Sequence, residues 1–475
     1  MTRILMASSE AAPFAKTGGL ADVLGALPGA LNRLGNEAAV VLPRYRSISL
    51  DQARRVYDDM PLALGSGTIS CSIWRQDRSG VPFFFVDCPR LYDREGLYSA
   101  YGHDFADNHI RFAALSLAAL GVLRHLFPAE VLHLHDWQSA LAAAYLRTRF
   151  RLDPHLMGTK IVFTIHNLEH QGRFAPFQFG DLSLDRSLMQ PHLLEFYGDV
   201  SFMKAGLVYS DAVTTVSPTY AREIQTAEFG CGLDGLLRAN ASKLSGILNG
   251  VDYADWNPET DPHIAAHYTA ANPGGKAVCK EALIREAGLP ASTMKRPLLG
   301  IVSRFAGQKG FDIFAEVAFE LFSADDAALA FIGSGEARFE EMFKHLMASF
   351  PDRVWGRFGY DNALAHRIEA GADLFLMPSL FEPCGLNQMY SLRYGTIPVV
   401  RATGGLDDTV DGDTGFKFWG YAPRDLLIAI RTALAEHRDR EAWAKRMRAG
   451  MSRDFSWDAS ARKYSDLYGR LISRG

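Results

Sequence analysis

Two doubly wound α/β domains are the fold class this sequence predicts, and three observations predict it. A chain of 475 residues is too long for one ordinary core. Short β-branched or aromatic runs alternate with longer amphipathic stretches, the rhythm of βαβ units. That rhythm stops at a loop-rich stretch, 249–297, and then begins again. The expected division is 1–245 for the first Rossmann-like domain and 246–456 for the second. The remaining segment, 457–475, reads as an amphipathic C-terminal helix. Its pattern suits packing on either domain, and the expectation is that it crosses back to the first. With no Gly/Ser or Pro-rich linker, the hinge should be short and structured, near residues 246–253. Ligands are expected at the carboxyl ends of strands, in a cleft that the two domains face.

In the first domain the strand candidates are 3–7, 38–42, 82–86, 131–135, 160–165, 212–216 and 244–248. Several are apolar on both faces, which suits central parallel strands covered by helices on each side. Helical patterns fall at 20–34, 107–126 and 139–150. In the second domain the strand candidates are 298–302, 329–332, 354–358, 374–377, 397–400 and 416–418. The helical patterns there are 311–322, 337–350, 363–370, 386–394 and 424–437, with the last helix over 457–471.

Composition excludes several classes. Hydrophobic residues make up 48% and charged residues 22%, a globular balance. The net charge of −4 argues against nucleic acid or an anionic membrane as partner. Five scattered cysteines without CxxC spacing indicate neither a disulfide framework nor zinc. The apolar run at the N-terminus is too short for a secretory signal, and no stretch approaches a spanning helix. A cytoplasmic protein is expected.

Four constellations can carry chemistry. The first, Lys16-Thr17-Gly18-Gly19-Leu20, opens a helix one loop after the first strand. Two glycines let backbone N–H groups approach a phosphate, and the helix N-terminus favours an anion. The same residues also read as an ordinary strand-to-helix turn with a solvated lysine. The second is Arg304 and Lys309, two cations five residues apart after an apolar strand, placed to clamp a diphosphate or merely to decorate a surface. The third is Phe381 through Asn387, where Glu382 suits sugar hydroxyls or simply stabilises a helix dipole, and Cys384 more often packs than reacts. The fourth, His135-Asp136-Trp137 with His166-Asn167, sets hydrogen-bonding groups beside an aromatic surface, as carbohydrate requires. No metal-like spacing, nucleophile elbow or GxGxxG with a distal acid is present, so metal hydrolases, serine hydrolases and nicotinamide dehydrogenases are disfavoured.

Taken in order, these motifs resemble one family, the bacterial glycogen synthases and plant starch synthases. The matching segments begin with Ser9-Glu10 through Lys16-Thr-Gly-Gly-Leu-Ala-Asp22, then Leu91 to Arg94, Asp107-Asn108 and Arg111-Phe112. They continue with His135-Asp136-Trp137, Phe163 to His166-Asn167-Leu, and Lys243 to Asn249-Gly-Val-Asp. The last are Val302-Ser-Arg304 to Lys309-Gly, Gly371-Ala-Asp, Pro378-Ser to Gly385-Leu, and Gly404-Gly-Leu. The resemblance spans about residues 3 to 460.

It implies the two-Rossmann architecture called GT-B and a retaining transfer of glucose from ADP-glucose to the non-reducing end of an α-1,4-glucan. No metal or organic cofactor is implied. Lys16, Arg304 and Lys309 would neutralise the diphosphate, with Gly18 and Gly19 donating from the backbone and Asp22 beside them. Thr403, Gly404 and Gly405 would line the phosphate end of another helix. His166 and Glu382 would hold the glucosyl hydroxyls, assisted by the backbone of Cys384, Gly385, Leu386 and Asn387. Tyr360 would lie against the base, Asp136 and Asn167 near the reacting centre and acceptor, and Asn249 near the hinge. Two positions depart from the pattern. Related retaining enzymes carry a second glutamate eight residues after the first, where this chain has Tyr390; members of the resembled family commonly deviate there too. Asn387 stands where threonine is usual, a change expected to be tolerated if only its backbone is used. A sister enzyme using UDP-glucose and a catalytically inactive glucan-binding protein are the competing readings.

Overall fold

The computed structural model describes residues 1–473. Contacts divide the chain into two compact units. Unit 1 comprises Met1–Val216, Ala221–Gly250 and the segment from Trp457; unit 2 comprises Ser217–Tyr220 and Val251–Ser456. The division thus falls at Gly250 rather than at 245. The reason is local: Ile247 donates its N–H to Thr215 O at 2.8 Å, and Ser460 Oγ donates to Leu248 O at 2.6 Å. A Cβ at Gly250 would meet the Trp457 backbone. Residues 217–220 also leave unit 1, because Ser217 Oγ donates to Pro383 O at 2.7 Å and Thr219 N–H to Asp408 at 2.7 Å.

Unit 1 is built on a nine-stranded sheet among the described residues. Its strands are β1 (Arg3–Ala7), β2 (Glu37–Pro43), β3 (Arg54–Leu64), β4 (Gly67–Arg78), β5 (Val81–Asp87), β6 (Val131–His135), β7 (Lys160–Ile165), β8 (Ala212–Thr215) and β9 (Leu244–Gly246). The order is β9-β8-β7-β6-β1-β2-β5-β4-β3, parallel except where β4 pairs with β5 and with β3. The parallel strands are the apolar runs read from the sequence. The β3–β4 hairpin is not among them, because edge strands are polar: β3 exposes Arg54, Arg55 and Asp58, and its register shifts twice. Helices α1 (Gly19–Arg33), α2 (Asn108–His125) and α3 (Trp137–Arg147) cover this sheet.

Unit 2 carries β10 (Leu298–Phe305), β11 (Ala328–Gly335), β12 (Val354–Phe358), β13 (Leu374–Met377), β14 (Ile397–Arg401) and β15 (Phe416–Phe418). All are parallel, in the order β12-β11-β10-β13-β14-β15, the doubly wound 3-2-1-4-5-6 arrangement. Its helices are α4 (Gly275–Glu286), α5 (Phe311–Ala324), α6 (Ala337–Ser349), α7 (Asn362–Gly371), α8 (Asn387–Arg393), α9 (Gly404–Thr409), α10 (Pro423–Glu436) and α11 (Arg440–Met451). The C-terminal helix α12 (Trp457–Ser473) belongs to unit 1, where Arg33 on α1 pairs with Asp458 at 2.6 Å.

Helix α4 lies inside the stretch read as loop-rich. Its apolar stripe is too broken to reveal it, since the buried face mixes Lys276 and Lys280 with Cys279, Leu283 and Ile284. Lys276 Nζ donates to Ala370 O at 3.0 Å and to Thr396 Oγ1 at 2.6 Å, and Lys280 pairs with Asp373 at 2.6 Å. Only tertiary partners make such a face buriable.

Beside Lys276 lies Glu369 on α7, 1% exposed, accepting from Ser391 Oγ at 2.6 Å. Burial pushes its carboxyl up to about 8, against the hydrogen bond from Ser391 and the charge of Lys276. The folded state therefore holds a proton that the unfolded chain loses near the ordinary carboxylate value. This contribution to stability is complete at acidic pH and declines as pH rises through the neutral range to about 8. Glu369→Gln should flatten that decline: the stability difference between variant and unmodified chain, followed by denaturant melts from pH 5 to pH 9, should shift in the variant's favour by about 3–5 kcal/mol.

Candidate active site

In unit 2 the chain reverses its winding direction between β10 and β13, and a cavity of about 350 Å³ opens at their carboxyl ends. Arg304, Lys309, Tyr360, Glu382, Leu386 and Asn387 are among the residues that line it. Two loops meet there. Gly310 sits at φ +76°, and a Cβ on it would collide with Pro378 O, so only glycine lets the β10–α5 turn press against the loop after β13. Leu380 N–H then donates to Gln308 O at 2.8 Å. This lacing delivers Lys309 Nζ to Glu382 Oε2 at 2.6 Å, while Ser379 Oγ donates to the same oxygen at 3.1 Å. Glu382 is 7% exposed, so its charge is held by these partners rather than by water.

The remaining unit 2 residues singled out from the sequence fall around this pair. Arg304 is exposed at the end of β10, and Tyr360 is 85% exposed with its hydroxyl donating to Asn362 Oδ1 at 3.2 Å. Cys384 is buried, Gly385 takes φ +71°, and Leu386 precedes α8. Asn387 uses its side chain, not only its backbone: Nδ2 donates to Val302 O at 2.6 Å and so ties α8 to β10. The expected tolerance at this position therefore loses its reason. Thr403 caps α9 and is buried, and Gly404 and Gly405 abut the Glu382–Cys384 backbone so closely that a Cβ on either would collide with it. The Gly405 N–H is taken by Glu382 O at 3.1 Å. Tyr390, at the place of the second glutamate, stacks on Trp256 with ring centroids 4.0 Å apart. An aromatic stack occupies that position in this chain.

In unit 1 the corresponding reversal lies between β1 and β6. The exposed loop after β1 carries Lys16, Thr17, Gly18 and Gly19, with Lys16 Nζ paired to Asp22 at 2.6 Å. Glu10, which the sequence did not mark as functional, organises this loop. Its buried carboxylate accepts from Thr17 N–H at 2.5 Å, Thr17 Oγ1 at 2.6 Å, Gly18 N–H at 3.3 Å and Tyr98 OH at 2.5 Å. A buried carboxylate needs such donors. Its signal in the sequence is an acid shortly before a glycine loop, and it is masked because the same loop N–H groups equally suit a phosphate.

Asp136 follows β6 and occupies the N-cap position of α3 with φ +56° and ψ 178°, a region adopted almost only by glycine. Its Oδ1 accepts from His166 N–H at 2.7 Å, and this together with a bond from Asn167 N–H ties the end of β6 to that of β7. Burial raises the Asp136 carboxyl to about 7, opposed by those two N–H groups and assisted by the charge of Glu10. His166 is partly buried, and desolvation lowers its imidazole to about 3, so it is neutral at physiological pH. Asn167 Oδ1 accepts from Glu169 N–H at 3.0 Å. Asn249, 7% exposed, lies one residue before the end of this stretch of unit 1. Among the described residues no group of three or more His, Cys, Asp and Glu side chains is arranged to hold a metal ion.

Substitutions at two positions test this geometry. Glu10→Ala should lower stability by about 1–3 kcal/mol through the stranded loop donors, and Glu10→Gln should recover part of the loss in thermal melts. Asp136→Gly and Asp136→Ala both delete the carboxylate, but only alanine keeps the backbone strain. The glycine variant should be the more stable of the two by about 1–3 kcal/mol in urea titrations, with equal values indicating an unstrained site.

Comparison with known proteins gives the same picture from a separate direction. The starch synthase catalytic domain family matches residues 3–239, and the glycosyl transferases group 1 family matches residues 289–450. The glycogen synthase of Koribacter versatilis is 48% identical over 473 residues, covering 98% of this chain and 97% of its own. That of Anaeromyxobacter dehalogenans strain 2CP-1 is 50% identical over 477 residues, covering 99% of both. Among solved structures, the catalytic domain of starch synthase IV from Arabidopsis thaliana, bound to ADP and acarbose, superposes with a TM-score of 0.90 at 33% identity, covering 99% of both chains. Sucrose-phosphate synthase from Thermosynechococcus elongatus, at 16% identity and a TM-score of 0.61 over both full chains, shares the fold alone. Near half-identity over almost its whole length, on a GT-B fold, makes this chain a member of the glycogen synthase family of glycosyltransferases.

Proposed function

We propose that this enzyme transfers glucose from ADP-glucose to the non-reducing end of an α-1,4-glucan with retention of configuration, in the cytoplasm and as a step of glycogen biosynthesis. The observation that carries the reading is Lys309 paired with buried Glu382 at the unit 2 cavity, beside Arg304. Arg304 and Lys309 bind the diphosphate, Glu382 accepts from a glucosyl hydroxyl, and Tyr360 lies against the base. Unit 1 contributes Lys16 to the phosphates, His166 to the glucosyl group, and Asp136 and Asn167 near the acceptor. Support for an adenine nucleotide comes from the Arabidopsis relative, whose structure holds ADP.

Scission of the C1–O bond places negative charge on the departing diphosphate and positive character on the sugar. Fixed cations aimed at the leaving group stabilise that separation. The acceptor hydroxyl attacks C1 on the face the diphosphate leaves, and its proton passes to the departing phosphate oxygen. Retention then needs no covalent glycosyl-enzyme. The three basic side chains supply the charge a divalent cation would otherwise bring, so neither metal nor organic cofactor is required. The net charge of −4 suits neither nucleic acid nor anionic lipid, and no helix among the described residues is long and apolar enough to cross a membrane.

Glycogen incubated with radiolabelled ADP-glucose and a chelator should gain label, with UDP-glucose giving far less. Lys309→Ala should lower the rate by roughly a hundred- to a thousandfold, about 3–4 kcal/mol. Preference for UDP-glucose would reassign the donor; glycogen binding without transfer from either would overturn catalysis.

A further inference from the structure

Behind His166 lies a column of buried histidines that the proposed chemistry does not use. His133 and His135 sit two residues apart on β6, hence on one face of the strand, with ring centroids 4.1 Å apart and no exposure. His135 Nδ1 is 3.0 Å from His166 Nε2. His133 is held at both ring nitrogens, by Tyr468 OH of α12 at 2.8 Å and Thr164 Oγ1 of β7 at 2.6 Å. His135 Nε2 is buried and makes no hydrogen bond.

These contacts decide where the protons are. Burial lowers the imidazoles of His135 and His166 far enough that both are neutral at physiological pH, so the Nδ1–Nε2 contact contains a single proton. If His166 donated it, the proton of His135 would lie on Nε2, a buried N–H with no acceptor. If His135 donates it, only a lone pair is left unmatched, the cheaper arrangement. His166 then carries its own proton on Nδ1.

We propose that His135 is a positioning residue that fixes His166 as its Nδ1–H tautomer and holds the ring so that Nδ1–H donates to an oxygen of the transferred sugar. This rests on the reading of His166 as a sugar contact. His133, tilted against the His135 ring and clamped by Tyr468 and Thr164, keeps that ring from turning. A tautomer fixed from behind by a second residue is the usual way a histidine is committed to one role.

The test uses the full-length enzyme with histidine labelled by nitrogen-15, together with transfer assays on glycogen and ADP-glucose. The side-chain spectrum of the unmodified protein should show His166 protonated at Nδ1 and bare at Nε2; the opposite tautomer overturns the proposal whatever the variants do. His135→Leu should lower kcat at least tenfold with KM for the donor changed less than threefold, and should release the His166 tautomer. His135→Asn, which keeps an N–H close to the position of Nδ1, should recover activity to within a few-fold. Full activity of His135→Leu, with His166→Ala inactive, would overturn this inference alone. Full activity of His166→Ala would instead overturn the sugar-contact reading beneath it.

Discussion

Close approach of backbone to backbone is the constraint on which the unit 2 site depends. Gly310 lies against Pro378, Gly404 against the Glu382 carbonyl and Gly405 against that of Cys384, each without room for a Cβ. Three loops from the carboxyl ends of β10, β13 and β14 are thereby pressed into one layer. Lys309 and Glu382, 73 residues apart in sequence, then fall within 2.6 Å of one another. Without that layer the lysine would be a solvated surface charge and the glutamate an unpaired acid in a low-dielectric pocket, costly by several kcal/mol.

The two units solve different electrostatic problems. Unit 2 gathers two basic side chains, Arg304 and Lys309, at the open end of a parallel sheet and balances Lys309 with the buried Glu382. Unit 1 removes charge. Desolvation keeps His133, His135 and His166 neutral and holds the Asp136 carboxyl near 7. Neutral donors and acceptors suit a sugar, whose hydroxyls need partners but carry no charge. The strained backbone at Asp136 is the cost of tying two strand ends together at one residue.

Most of the fold was legible because parallel central strands are apolar on both faces and stand out from their surroundings. Strands at 3–7, 131–135, 160–165, 354–358 and 374–377 have the bounds their hydrophobic runs mark. Legibility ended where burial is achieved by partners rather than by side-chain type. The β3–β4 hairpin is polar because it forms an edge, and α4 buries lysines because carbonyls and Asp373 await them. The same holds for sites. Lys16, His135, His166, Arg304, Lys309 and Glu382 could be singled out as charged or polar groups at strand ends, whereas Glu10 stood out only as part of a family motif and nothing in the sequence showed that His135 meets His166.

By itself the sequence determined the βαβ rhythm, the two-unit plan and the polar side chains at the carboxyl ends of strands, because periodicity and glycine placement are local properties. Tertiary structure alone decided which of those side chains meet. It paired Lys309 with Glu382, turned the Glu10 carboxylate onto the Thr17–Gly18 loop, and set His135 behind His166. It also turned Tyr390 onto Trp256 and tied Asn387 to Val302. The physical reason is the same in each case. Hydrogen bonds and desolvation act over a few ångströms in space, and separation along the chain does not report that distance.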